Sequence, residues 1–432
     1  MDFSLNEEQR HWQSEARKFA LEELRPASLK RDQIEGAFEP WDWSLIEKGS
    51  KLGFRTLAVP KEWGGPGADF VSQAIVMAEL AKGDSAMSKA FSQNWKWSHL
   101  ISVACTDDQK SRFLKPFLAD HRYVMGRGIT EPNSGSDNRM PPEDDPKAGY
   151  RLKAVKDGNE WVLNGEKCFI ANGSVGSLFF VDARSNPDVN IKQGGTLFMV
   201  PKGTPGFRIG KVFNKRGWRF YQNAELIFEN ARLPQENVVG AVGTGSVKAG
   251  KGDTTGGDIF GDLELAANAL GVCDDAVEMA MAFARSHKRA GKYLMEHQLV
   301  QLRVHEMHML TEALRSYVLR TAWQHDAGEH SANAGFVMNY STDIIQRVTR
   351  LNMQIHGAEG CMMNARADKL VRDAMVWTPV RRATARMVAR SKPSSANSRR
   401  ASWRMHASVR RRRSSRDVGS ALNVDTYSLY RC

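Results

Sequence analysis

The chain has 432 residues, 41% hydrophobic and 25% charged, the composition of a soluble globular protein with two or three domains. No apolar run reaches the ~18 to 20 residues that cross a bilayer, and the acidic start, Asp2 to Glu8, is unlike a secretory leader, so a cytoplasmic protein without a membrane span is expected. Cys105, Cys168, Cys273, Cys361 and Cys432 show no CxxC pairing, which argues against a disulfide framework or a zinc site, and no metal is expected.

Net charge is +12, yet residues 381–432 hold 14 Lys+Arg against 2 Asp+Glu, leaving 47 of each before them. The body is formally neutral, so a nucleic-acid partner is not expected of it.

Asn6 with Gln9 reads as a capping box opening a helix that ends at Pro26. Helical patterns follow at Trp41 to Lys51, Asp69 to Lys82 and Asp107 to Leu118, with breakers at Pro60, Gly64 to Gly67 and Gly83-Asp84. Residues 1–122 thus form a helical domain. Met125 to Gly128 reads as a tight turn leading into Ile129-Thr130-Glu131-Pro132-Asn133-Ser134-Gly135-Ser136-Asp137, whose small polar residues and N–H groups suit an anion or a phosphate-bearing cofactor.

From Tyr123 to residue 239 short β-type runs dominate: Tyr150 to Val155, Glu160 to Leu163, Leu178 to Ala183, Thr196 to Val200, Phe207 to Phe213 and Ala224 to Phe228. Asn164-Gly165 reads as a type I′ hairpin, and the spacing predicts a small β-barrel or sandwich. Residues 240–261 form a glycine-rich linker. Within it Gly245 to Lys251 approaches a P-loop, but Gly252 stands where Ser or Thr is required.

Residues 262–380 read as an antiparallel helical bundle: Leu263 to His287, then a helix striped by Leu302, Met307, Leu310, Leu314 and Tyr317 and ended by Gly328, then one marked by Ile344, Val348, Leu351 and Ile355 and ended by Gly357. His305 and His308 are three apart, where a zinc helix needs four.

The stretch Thr130-Glu131-Pro132-Asn133-Ser134-Gly135-Ser136-Asp137, with Tyr123 before it and Lys167-Cys168-Phe169-Ile170-Ala171-Asn172-Gly173 after it, resembles the flavin-binding signature of the acyl-CoA dehydrogenase family. Leu52-Gly53-Phe54, Val59 to Gly65 and Ala78 to Ala81 resemble that family's helical N-terminal domain. The likeness covers about residues 1–380. It implies an α+β multidomain fold of N-terminal helices, central β domain and C-terminal bundle. It also implies an FAD enzyme that oxidises an acyl-CoA to the 2,3-enoyl-CoA, passes electrons to an electron-transfer flavoprotein and works as a homotetramer or homodimer.

By the same resemblance Ile129, Thr130 and Gly135 border the flavin, and Ser136 touches FAD phosphate and the substrate's pantetheine. Phe169 and Ala171 replace a tryptophan and a threonine beside the ring, so a hydroxyl toward the ring is lost. The segment His287-Lys288-Arg289 to Glu296-His297-Gln298 resembles the one that reaches the adjoining subunit's FAD, with His287 in place of an arginine and Arg289 as its substitute. Gln354-Ile355-His356-Gly357-Ala358 resembles the turn against the adenosine.

Such chemistry needs a base for the Cα proton, and a carboxylate in a dry pocket suits it. After Arg372-Asp373-Ala374 the family's usual glutamate is matched by Arg381; its other location is matched by Gly261, flanked by Asp262 and Glu264. Asp262, which would also face substrate, and then Glu264 are the candidate bases. The other reading of both is an exposed acid at a helix start. Two further functions stay open: the same fold with nitroalkane-oxidase or oxygenase chemistry, or a catalytically impaired relative. A reading of another class is a non-catalytic helical protein with a nucleic-acid-binding tail. The Arg- and Ser-rich segment from Arg381 is expected to be disordered, and a shift of reading frame near codon 380 would produce it.

Overall fold

Asn6 and Gln9 exchange side-chain and backbone hydrogen bonds of 2.8 and 3.1 Å, a capping box that starts α1 (Glu7–Phe19). A computed structural model describes residues 4–138, 145–244, 259–329 and 333–380; the tail from Arg381 and the near P-loop lie outside them. The first helix does not end at Pro26. A π-helical turn, Ala20–Leu24, slips the hydrogen-bond register so that the Arg25 N–H reaches the Ala20 carbonyl, and Pro26 then falls in the first turn of α2 (Arg25–Asp32), where its missing N–H is tolerated.

Asp42 caps α3 (Trp43–Lys51) and Asp69 caps α4 (Phe70–Gly83). Gly83-Asp84 breaks the helix as expected: α4 ends at Gly83, and the extended Asp84 accepts the Met87 N–H at 2.8 Å and so caps α5 (Ser85–Ser92). After α5 come α6 (Trp95–Ala104), α7 (Asp107–Gln109), a second π turn and α8 (Lys115–Ala119). All eight residues of α5 are buried, so it carries no apolar stripe to read.

Eight strands make the central domain: β1 (Met125–Gly128), β2 (Lys153–Asp157), β3 (Glu160–Ala171), β4 (Leu178–Arg184), β5 (Gly195–Pro201), β6 (Phe207–Val212), β7 (Asn223–Pro234) and β8 (Val238–Val239). Their order is β6-β7-β3-β2-β4-β5-β8, with β1 also on β4. The β2–β4 join is a single pair, Lys153 with Arg184. The sheet's two halves enclose one core in which Trp161 of β3 meets Phe198 of β5 edge-on at 5.5 Å. The short helix α9 (Ile191–Gly194) lies between β4 and β5.

Two expectations change here. Asn164-Gly165 lies inside β3 at a bulge, because β3 continues to pair with β7 beyond it; the hairpin turn is Gly158-Asn159, between the paired Asp157 and Glu160. Met125 to Gly128 is a strand, not a turn. Gly126 is required by proximity, since a Cβ there would stand 2.5 Å from the Ala171 carbonyl oxygen.

The bundle comprises α10 (Ile259–Ser286), α11 (Gln298–Asp326), α12 (Asn333–His356), α13 (Arg366–Ala374) and α14 (Trp377–Val380), so the last three residues read as linker are helical. A hairpin of β9 (Lys288–Arg289) and β10 (Lys292–Tyr293) joins α10 to α11. On α11 Met307 and Leu314 are buried, while Leu302 points outward and is 65% exposed. Gly271 lets α10 approach α4: a Cβ there would meet the Ala78 carbonyl at 2.0 Å. N-terminal helices and bundle thereby share one apolar core.

Candidate functional site

The end of β3 presents an aromatic ring outward. Phe169 has φ of 57°, a left-handed conformation that few bulky residues adopt, and is 60% exposed, with its ring stacked 4.4 Å from Phe213. Asn223 Nδ2 donates to the Phe169 carbonyl at 2.9 Å, and the Lys215 ammonium donates to Asn223 Oδ1 in turn. The Cys168 N–H donates to the Thr130 carbonyl at 2.9 Å, which draws Ile129 and Thr130, both half-buried, beside this ring. Ala171, also half-buried, follows two residues later. Tyr123 sits against Phe117, edge-on at 6.0 Å, and burial pushes its phenol up to about 12.

The loop after Thr130 is closed from within. Glu131 and Ser134 exchange backbone hydrogen bonds of 2.8 and 3.2 Å, and the Gly135 N–H donates to Asp137 at 2.7 Å. These three N–H groups are therefore not offered to an anion, contrary to the expectation from composition. What the loop presents outward is Pro132, Asn133, Gly135 and Ser136, all exposed.

A second group of candidates gathers on the bundle. Arg289, Gln354, Gly357 and Ala358 line a cleft of about 370 Å³ together with Phe283 and Glu359. His287 stacks on Phe283 at 3.7 Å, and His297 Nε2 lies 3.0 Å from the Arg289 carbonyl. Gln298 is exposed at the start of α11. Gly357 turns the chain at φ of 62°, which leaves the cleft floor without a side chain.

Asp262 and Glu264 are not exposed helix-start acids: they are 3% and 6% exposed in the first turns of α10. Glu264 Oε1 accepts from the Lys89 ammonium and from the Ser92 hydroxyl, a buried cluster that links α10 to α5. Burial, and then the Glu264 charge, push the nearby Tyr221 phenol well above its ordinary range; its hydroxyl donates to Gln93 at 3.0 Å. Lys89 was not singled out from the sequence. Its only signal was a lone lysine in the otherwise small and apolar run Ser85 to Ser92.

The Arg372-Asp373-Ala374 segment is a clamp. Arg372 binds Asp32 and Asp368 at 2.7 Å each, and Asp373 takes Lys369 at 2.6 Å and the Trp218 N–H at 2.7 Å. The bundle is thus fixed to the loop between β6 and β7. Among the described residues no His/Cys/Asp/Glu group could hold a metal ion, and no helix is long and apolar enough to cross a membrane.

The N-terminal, middle and C-terminal domains of acyl-CoA dehydrogenase match residues 6–121, 126–231 and 261–406. The short-chain-specific acyl-CoA dehydrogenase of Clostridium acetobutylicum is 30% identical over 378 residues, 87% of this chain and 94% of that protein. The chain belongs to the acyl-CoA dehydrogenase family. The last match runs past Arg381, where the sequence reading ended the likeness.

Among solved structures, butyryl-CoA dehydrogenase of Megasphaera elsdenii superposes with a TM-score of 0.80 at 27% identity, over 90% of this chain and 98% of that one. A chain from the structure described as "Electron transferring flavoprotein of Acidaminococcus fermentans: Towards a mechanism of flavin-based electron bifurcation" gives a TM-score of 0.81 at 30% identity, with the same coverage. Acyl-CoA dehydrogenases are FAD-dependent oxidoreductases acting on CH–CH bonds. The residues present fit that cofactor: an outward aromatic ring at Phe169, the exposed Ser136, and a bundle cleft bearing Arg289, whose guanidinium lies 3.5 Å from the Glu359 carboxylate on the same cleft.

Proposed function

We propose that this acyl-CoA dehydrogenase removes hydrogen across Cα–Cβ of an acyl-CoA thioester, giving the 2,3-enoyl-CoA, and passes the electrons to an electron-transfer flavoprotein. The observation that carries the reading is the junction of Thr130 and Phe169, an aromatic face held in a strained backbone conformation by Asn223. Strain of this kind at an exposed ring is the ground for reading it as a site. The names of the two bacterial short-chain relatives, and the flavoprotein system from which the third chain comes, support the substrate class and the acceptor.

In this reading Ile129, Thr130 and Phe169 hold the ring system, Ser136 binds phosphate or pantetheine, and Arg289 with the Gly357 turn receives the adenosine end from a neighbouring copy in a dimer or tetramer. Bound FAD supplies the hydride acceptor. Asp262 takes the Cα proton: it is buried, so water does not compete for it, and it lies in the first turn of α10. Glu264 is the second candidate, although Lys89 and Ser92 already occupy its Oε1.

Release and identification of the cofactor, followed by anaerobic titration with acyl-CoA, tests the proposal. FAD whose oxidised absorbance is lost on titration supports it. A folded protein that carries no FAD, or one whose flavin no acyl-CoA reduces, refutes it.

A further inference from the structure

The pairing of β3 with β7 steps from Lys167 opposite Leu226 to Ile170 opposite Ala224, so Cys168 and Phe169 together face Glu225 and Phe169 has no partner in the ladder. Its carbonyl takes the Asn223 side chain instead. The Asn223 carbonyl also accepts the Phe213 N–H at 2.9 Å, so one residue is tied to both members of the stacked aromatic pair. An amide side chain has a donor end and an acceptor end, and Asn223 can serve the Phe169 carbonyl in one orientation only. Lys215 selects it. The ammonium has donors and no acceptor, and it reaches both Asn223 Oδ1 and the Tyr221 carbonyl, so a reversed amide would set N–H groups against N–H groups.

We propose that Lys215 is a positioning residue of the Phe169 site: its ammonium fixes the Asn223 amide, and the amide holds Phe169 in its left-handed conformation. The inference rests on the reading of Phe169 as a neighbour of the flavin ring. Lys215 is half-buried, and burial pushes its ammonium down to about 7, opposed by the charge of Asp373 on α13, which is itself paired with Lys369. The other charged or titratable groups about this loop are Arg216, Arg219 and Tyr221 within it, Lys211 and Glu225 on the strands it joins, and Arg372, which donates to the Arg216 carbonyl at 2.8 Å. The ammonium is present below about 7 and lost above it. An uncharged amine offers a lone pair, the reversed amide is no longer excluded, and the hold on Phe169 relaxes as pH rises.

The test is binding of FAD to the FAD-depleted full-length protein, followed by flavin fluorescence from pH 6 to pH 8.5, for the wild type, Lys215→Met, Lys215→Arg, Asn223→Leu and the Lys215→Met, Asn223→Leu double variant. A charge-assisted hydrogen bond is worth about tenfold in an equilibrium constant, so Lys215→Met should weaken FAD binding about tenfold at pH 6 and much less at pH 8.5. Wild-type affinity should fall with a midpoint near the lysine's value of about 7, while Lys215→Arg, charged throughout, keeps its affinity across the range. Lys215→Met should add little once Asn223 is leucine, because the two act in series. A lysine that merely stabilised the loop would lower the melting temperature without moving this profile. A flat wild-type profile, or one that a folded Lys215 variant reproduces unchanged, overturns the role of Lys215 and leaves the FAD reading standing. A wild type that binds no FAD at any pH overturns that reading and this proposal with it.

Discussion

The Lys167 ammonium lies 2.8 Å from Glu131 Oε1, with the lysine side chain wholly buried and the glutamate nearly so. Burial pushes the Lys167 ammonium down from its ordinary range, and the Glu131 charge opposes that push. Glu131 also accepts the N–H groups of Arg151 at 2.6 Å and Leu152 at 2.8 Å, so a single carboxylate ties the loop after Thr130 to both β3 and the entry to β2. Glu131→Gln leaves the buried ammonium without its counter-charge and turns an amide NH₂ toward one of these donors. The expected cost is about 3–5 kcal/mol in urea denaturation, together with weaker FAD retention. A loss under about 1 kcal/mol would show the pair to be dispensable.

Asp262 and Glu264 separate by the same logic. Glu264→Gln abandons the Lys89 ammonium in the core, so stability should fall by about 3 kcal/mol or more whether or not the residue takes part in chemistry. Asp262→Asn should instead lower kcat by about 10² to 10⁴ while the melting temperature changes little. Normal turnover by both folded variants would remove the two candidates together.

The hairpin beside the Arg289 cleft contains a local conflict. Ala290 and Gly291 have φ of 49° and 81°, the pattern of a type I′ turn, and only the second suits its conformation. Ala290→Gly removes a left-handed penalty of about 1 kcal/mol, offset in part by the freer unfolded chain, so a net gain of up to about 1 kcal/mol is expected in thermal melts. Ala290→Val should lose stability, and a gain there would contradict the assigned turn.

How far the sequence could be read depended on how local each determinant was. The capping box at Asn6 and the endings at Gly328 and Gly357 were legible because each lies within a few residues. Helix α5 was not, since its partners approach from every side and no polar face remains to mark a period. Asn164-Gly165 carried the strongest local hairpin signal in the β region, but pairing with β7 on both sides of it overrode the turn. At the site, Thr130 and Phe169 are 39 positions apart and were joined only through a resemblance; the hydrogen bond from the Cys168 N–H to the Thr130 carbonyl, which brings the two segments together, is a tertiary fact. The Lys89–Glu264 pair, 175 positions apart, showed in the sequence only as two separate hints, a lone lysine in the run Ser85 to Ser92 and an acid near a helix start.

Asp326 sets a pH dependence. It accepts the N–H groups of Phe70 at 2.8 Å and Val71 at 3.0 Å, capping α4 from the end of α11, and burial raises its carboxyl from 3.8 to about 6 despite those bonds. Between these values the folded chain binds a proton that the unfolded chain does not. Stability from this group therefore rises as pH falls through about 6, and is complete near the unfolded value. Asp326→Asn cannot take up that proton. The stability of the wild type relative to Asp326→Asn should thus increase from pH 7 to pH 4.5 in urea titrations, while a difference that is flat or shrinks toward acid would show that the carboxyl titrates at its ordinary value.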